Sequence, residues 1–149
     1  MNLHMKKVIF LLSVISILAL NSCSIDNDDP NFYFESLPIE SVEMPNEFIF
    51  GESHDIVLNY FRPSDCHQFN NFLINTEGNQ RTIAILNTVY VNSNCNTLID
   101  NVNNPNGELV SATLSLNVIS TDTYVFNFYQ GTDSNNVDQF FVVEVPVIQ

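Results

Sequence analysis

Tryptophan is absent, and glycine occurs four times in 149 residues. So few glycines leave nothing to build a phosphate-cradling loop, and neither nucleotide fingerprint occurs. Cations are almost as scarce, with four Lys and Arg against 17 Asp and Glu and a net charge of -13. Such a surface cannot neutralise phosphates, which excludes a nucleic-acid partner. It cannot hold the protein on an anionic membrane face either, so any membrane attachment must come from lipid. No nucleophile elbow, metalloprotease histidine pair or CxxC is found. Beyond the first 22 residues there is no helical apolar stripe of useful length and no internal repeat. Acidity of this degree suits a basic partner or a cation, and it also serves solubility.

What is present begins with an apolar run, Val8 to Leu20, led by Lys6 and Lys7. Basic, then apolar, then small residues is the order of a secretory signal peptide. The run is about 13 residues, short of the roughly 20 that a spanning helix needs. Its end, Leu20-Asn21-Ser22-Cys23, resembles a bacterial lipobox, with Asn21 departing from the usual small or hydroxyl residue. The resemblance implies diacylglycerol on the Cys23 sulfur, cleavage before Cys23 and acylation of the new amino terminus. Two or more acyl chains give stable anchoring. Ser24 is not the Asp that retains lipoproteins at an inner membrane. Asp26, Asp28 and Asp29 follow closely, and the run looks like the acidic export signal of Bacteroidota lipoproteins. The expected address is therefore the outer membrane, displayed at the cell surface, with a periplasm-facing anchor as the alternative. The chain resembles small surface lipoproteins of that phylum. A further likeness is to the C-terminal β-sandwich of NigD-like lipoproteins, whose amino-terminal barrel has no counterpart here.

Cleavage leaves Cys23 to Gln149, with Arg62 and Arg81 as its only basic side chains and a formal charge of -15. That length suits one domain. Three cysteines are present; with Cys23 acylated, Cys66 and Cys95 form an even pair in an oxidising compartment. A disulfide is expected between them. The rival is a thiol site of Cys66 beside His67, which would need a nearby cation and an orienting group.

The division that follows is 1–22 signal peptide, 23–38 acylated cysteine and acidic tether, and 39–149 folded domain. Within the tether, Asn31-Phe32-Tyr33-Phe34-Glu35 reads as a short edge strand or a sticky segment. After Pro38 the period is two. Strands are predicted over 39–44, 55–61, 69–76, 81–91, 109–119, 123–130 and 139–147, with 47–50 extending the first. Ile56, Leu58 and Tyr60 share one face. Val110, Ala112, Leu114, Leu116 and Val118 form a row facing inward, opposite Ser111, Thr113, Ser115 and Asn117. About seven or eight strands at hairpin spacing predict an all-β fold, a single immunoglobulin-like antiparallel β-sandwich, with a small barrel as the alternative. Thr121-Asp122-Thr123-Tyr124-Val125-Phe126 is similar to the late-strand entry of immunoglobulin-like domains, where a tyrosine closes a corner.

His54-Asp55 and Asp65-Cys66-His67 are the places where histidine meets other titratable groups. They flank one strand at opposite ends, about 20 Å apart, too far to share a metal. Asp100 to Glu108 is rich in oxygen ligands, but Val102 and Pro105 break the alternation of an EF-hand loop. Asp133, Asn135 and Asp138 form a smaller acidic loop. No catalytic residue, metal site or cofactor is expected. The functional expectation is a lipid-anchored, non-enzymatic binding module for a protein or glycan, with Tyr33, Tyr60 or Tyr129 as exposed aromatics on a groove. The alternatives are an envelope assembly subunit and, less in keeping with the size, a small hydrolase built around His54 or His67.

Overall fold

The structure is a computed structural model that describes residues 31–91 and 94–149. Among these residues there is no helix, and ten strands follow one another. They are β1 (Phe32–Leu37), β2 (Ile39–Glu43), β3 (Phe48–Ile49), β4 (Ser53–Arg62) and β5 (His67–Glu77), then β6 (Gln80–Tyr90), β7 (Glu108–Asn117), β8 (Tyr124–Thr132), β9 (Asp138–Val145) and β10 (Val147–Ile148). The fold is an all-β sandwich. A large sheet holds five strands: β5 lies against one edge of β6, β1 and β8 share its other edge, and β9 follows β8. A small sheet holds three, in the order β2-β4-β7, and β10 and β3 make a two-stranded ribbon.

Two prolines explain why the strands outnumber the expected seven or eight. Proline has no backbone N–H, so it cannot donate to a ladder. Pro38 is the single residue between β1 and β2, which belong to different sheets. The chain changes layers there. Pro146 likewise separates β9 from β10, and its carbonyl accepts from the Phe48 N–H at 2.9 Å. The folded unit also starts earlier than the expected boundary at residue 39. Phe32 to Leu37, assigned to the tether, pairs antiparallel with β6 from Tyr90 back to Ile85. Two pairings are parallel rather than antiparallel, β6 with β8 and β10 with β3. The chain reaches β8 from β6 by way of β7 in the other sheet, which is the crossover that parallel neighbours need.

The alternation read from the sequence sets the core. Ile56, Leu58 and Tyr60 of the small sheet are buried against Ile83, Ile85, Tyr124, Phe126 and Phe128 of the large one. Phe126 stacks on Phe128 with centroids 5.7 Å apart, and Phe48 meets Tyr124 and Phe126 edge-on. Such aromatic pairs contribute about 0.5–1.5 kcal/mol each beyond area burial. The Tyr124 hydroxyl accepts the Ile119 N–H at 3.2 Å, closing the corner that the sequence likeness implied. One polar side chain breaks the apolar row of β6. Asn87 is fully buried with its carboxamide set against the Tyr60 phenol, a contact that leaves most of its hydrogen-bonding capacity unmet among the described residues.

Cys66 and Cys95 are joined by a disulfide, with Cα atoms 5.5 Å apart. It ties the turn between β4 and β5 to the loop after β6. It does not join the two sheets as the bridge of antibody domains does. The same end is held by Asp65, whose carboxylate accepts the Asn96 N–H at 2.9 Å and the Asn96 amide at 2.7 Å. Gly107 takes φ +104° against the Arg62 carbonyl, where a Cβ would collide with backbone.

Candidate functional site: the outer face of the large sheet

Each sheet has one face on the core and one turned outward, and the two outward faces differ in chemistry. On the small sheet the outer row is mostly polar and bonded to itself. Asn59 donates to Ser41 and Glu43 at 3.1 Å each and accepts from the Ser111 hydroxyl at 2.6 Å. Ser115 donates to Asp55 at 2.5 Å. Val57 and the pair Phe61 and Leu109 are the apolar exceptions, by register.

On the large sheet the outer row mixes polar residues with large apolar ones, and each of the five strands contributes at least one exposed or half-exposed apolar or aromatic side chain. The register places Phe32 and Phe34 of β1 beside Tyr90 and Thr88, Leu73 of β5 beside Ala84, and Phe140 of β9 beside Tyr129. Phe34 is 56% exposed, Leu73 47%, Phe140 41% and Val142 54%. Large exposed apolar side chains gathered on one face make it the candidate for an interaction surface.

A groove of about 520 Å³ crosses this face. Its floor is low because the central strands carry small residues there, Ser36, Thr82 and Ala84. Leu73 and Asn75 rise on the β5 side, and Tyr129, Phe140 and Asp138 on the β8–β9 side. Tyr129 and Phe140 meet edge-on with centroids 6.1 Å apart. Partial burial, and then the negative charge of Asp138, push the Tyr129 phenol above its usual range. The groove thus offers an aromatic pair, one carboxylate and a few hydrogen-bonding groups. That set is chemically suited to an apolar or aromatic surface with a polar or cationic handle.

A second cluster lies at the disulfide end. Ser64 Oγ is 2.7 Å from His67 Nδ1, and His67 Nε2 is 3.0 Å from a Glu35 carboxylate oxygen. The order serine, histidine, carboxylate is that of a hydrolase relay. Acyl transfer also needs a recess for the reacting carbonyl and donors aimed at its oxyanion. The groove does not include any of the three residues. As built, the relay braces β1 against the β4–β5 turn. The Ser64 carbonyl accepts the His67 N–H, so the turn closes on itself.

The other sequence candidates fall as follows. Cys66 is bonded to Cys95, so the thiol reading with His67 is overturned. Asp65 lies within 4.8 Å of both sulfurs, but a disulfide is no thiolate ligand. His54 Nε2 accepts the Ile49 N–H at 3.0 Å, and its ring packs on Phe48. Asp100 accepts from the Val102 N–H and the Asn103 amide, and Asp133 from the N–H groups of Asn135 and Val137. These bonds hold both carboxyls below their ordinary value and staple their own loops. Of the three tyrosines expected on a groove, only Tyr129 lines it. Tyr60 is core, where burial raises its phenol, and Tyr33 lies outside the groove. Cys23, Ser24, Asp26, Asp28 and Asp29 lie outside the described residues.

No family model, curated protein or solved structure matches this chain.

Proposed function

We propose that this protein is a lipid-anchored binding module of the outer membrane, displayed at the cell surface, that recognises a macromolecular partner through the outer face of its large sheet. The observation that carries the reading is the contrast between the two outer faces. A sandwich whose only task was to stay folded and soluble would have polar residues on both. The anchoring half rests on the sequence alone, on the lipobox at Cys23 and the acidic run behind it. The disulfide suits an oxidising compartment. An assembly subunit of an envelope complex would use the same face, with a constant protein partner in place of an exchangeable ligand. A hydrolase reading would rest on Ser64, His67 and Glu35 and requires a recess beside them.

A photoreactive amino acid placed at Tyr129 or at Thr113 tests the choice of face. Irradiation of intact cells should give a discrete adduct from position 129 and none from position 113. Equal labelling at both, or none at either, contradicts the reading. Replacing Cys23 with serine should release the protein from the membrane fraction, and protease added to intact cells should remove the wild-type domain.

A further inference from the structure

We propose that β5 is an acceptor edge, and that the partner adds a strand to it from an extended, cationic stretch of polypeptide. The inference rests on the reading above and names the chemistry of the partner. β5 runs His67–Glu77 and, among the described residues, pairs with β6 alone. Within it only His67 is buried and Phe72 partly so. Both its faces are exposed: Leu73 on the outer side, Phe69 and Ile74 on the other, each close to half accessible.

The direction of its backbone groups follows from the hairpin. Glu77 and Gln80 face each other across a two-residue turn, Gly78-Asn79. Alternate residues Asn71, Leu73, Asn75 and Glu77 therefore bond to β6, and Phe72, Ile74 and Thr76 turn their N–H and C=O groups to the free edge. Asn71 marks the same phase, because its side chain takes the Phe72 N–H at 2.8 Å. Folded proteins guard such edges with charge, proline or cover. From Gln68 to Thr76 there is no charged residue and no proline. The guards are the bulge at Asn70 and the Asn71 side chain on the Phe72 N–H, which a pairing strand displaces. The opposite edge, β9, is by contrast closed by Asp138, Glu144 and Pro146.

Charge decides the occupant. The described residues carry fourteen carboxylates against Arg62 and Arg81. Both guanidiniums are engaged, Arg62 with Glu108, and Arg81 with the Gly78 and Gln80 carbonyls and the Tyr124 ring. Glu77 ends the free strand, and Asp138 lies across the groove from Leu73 and Asn75. A second copy would set like charge against like. A strand alternating apolar and basic residues pairs with the edge, extends the apolar row of Ile74 on one face, and on the other sets its cations beside Glu77 and toward Asp138.

The test uses the purified full-length protein in detergent and two synthetic probes, acetyl-(Val-Lys)5-amide and acetyl-(Val-Glu)5-amide. Amide hydrogen exchange is followed at Phe72, Ile74 and Thr76. The lysine probe should slow exchange there about tenfold or more, and the glutamate probe should not. Ile74→Pro should abolish the effect at Phe72 and Thr76 while leaving the melting temperature nearly unchanged, because that N–H does not serve β6. Ile74→Val, which keeps the N–H, should behave as wild type and covers the case of a proline variant that misfolds. No slowing, or equal slowing by both probes, overturns the proposal. Slowing that rises with protein concentration alone means a second copy, and also overturns it. None of these outcomes touches the labelling contrast between positions 129 and 113, so the strand can fail while the face stands.

Discussion

The two outer faces of this sandwich are built on the same pleat, and they treat water differently. On the small sheet Asn59 gathers Ser41, Glu43 and Ser111 into one network. That face is part of how the domain holds itself together. On the large sheet Phe32, Phe34, Leu73, Phe140 and Val142 stand exposed, and most of them touch solvent over about half their surface. Those side chains bury only about half of their surface, so each contributes less to stability than a core side chain of its size. On the proposed reading, one face serves the fold and the other a partner.

Removing what lies beneath both faces sets the scale. Replacing Cys66 and Cys95 together with serine should cost about 3–4 kcal/mol on the chain-entropy model, read as a lower denaturation midpoint. It should leave the contrast intact, because the bridge belongs to neither outer row. A smaller change of opposite sign is expected at Asn87, whose carboxamide is fully buried with the Tyr60 phenol beside it and most of its hydrogen-bonding capacity unmet. Asn87→Leu keeps the volume and removes the buried polar atoms, and should stabilise by up to about 1 kcal/mol. A loss of stability there would mean that the contact with Tyr60 outweighs the cost of burying the carboxamide.

The next pair addresses the faces themselves. Asn59→Ala should destabilise by about 1–2 kcal/mol, because it strands Ser111 and leaves Ser41 and Glu43 without their donor. Phe140→Ser removes a ring that is more than half buried against Tyr129 and should cost a similar amount. The two should part in the binding of a hydrophobic dye, where Phe140→Ser lowers the signal and Asn59→Ala leaves it unchanged. If both variants lower the dye signal equally, the faces are not specialised.

The smallest effect separates the faces from the loops. The carboxyls of Asp65, Asp100 and Asp133 are held below their ordinary value of 3.8, chiefly by hydrogen bonds from Asn96, Val102 and Asn103, and Val137 and Asn135. A carboxyl depressed in the folded state stabilises above its unfolded value, and that contribution is lost as pH falls through the folded one. The melting temperature should therefore decline below about pH 4 from these groups. Asp100→Asn with Asp133→Asn should flatten that decline slightly and leave dye binding alone.

Much of the fold was legible because alternation is a local signal. Val110 to Val118 could lie only one way against a core, and Tyr124, Phe126 and Phe128 likewise. The turns at Gly78 and after Val118 punctuated the strands as their residues demand. Pairing partners were not legible. Nothing in β6 and β8 says that they run parallel, since that depends on β7 crossing to the other layer. Phe32 to Phe34 resisted assignment because three successive aromatics cannot face one side. The structure puts Phe32 and Phe34 on the outer face and Tyr33 on the other. The groove was half visible, in Tyr129 and in the unbroken apolar run Phe140 to Val143. Such a run reads as a strand buried on both faces. What it could not say is that one of those faces is left open. The floor of Ser36, Thr82 and Ala84 comes from two separate strands, β1 and β6, and exists only after they assemble.

The central claim is that the apolar face is covered in the cell and the polar face is not. Oxidative footprinting reads both at once, comparing intact cells with the purified full-length protein. The account predicts protection of Phe34, Tyr90 and Phe140 on cells, with Phe61 and Leu109 labelled equally in both samples. Equal labelling of all five positions in the two samples would contradict it.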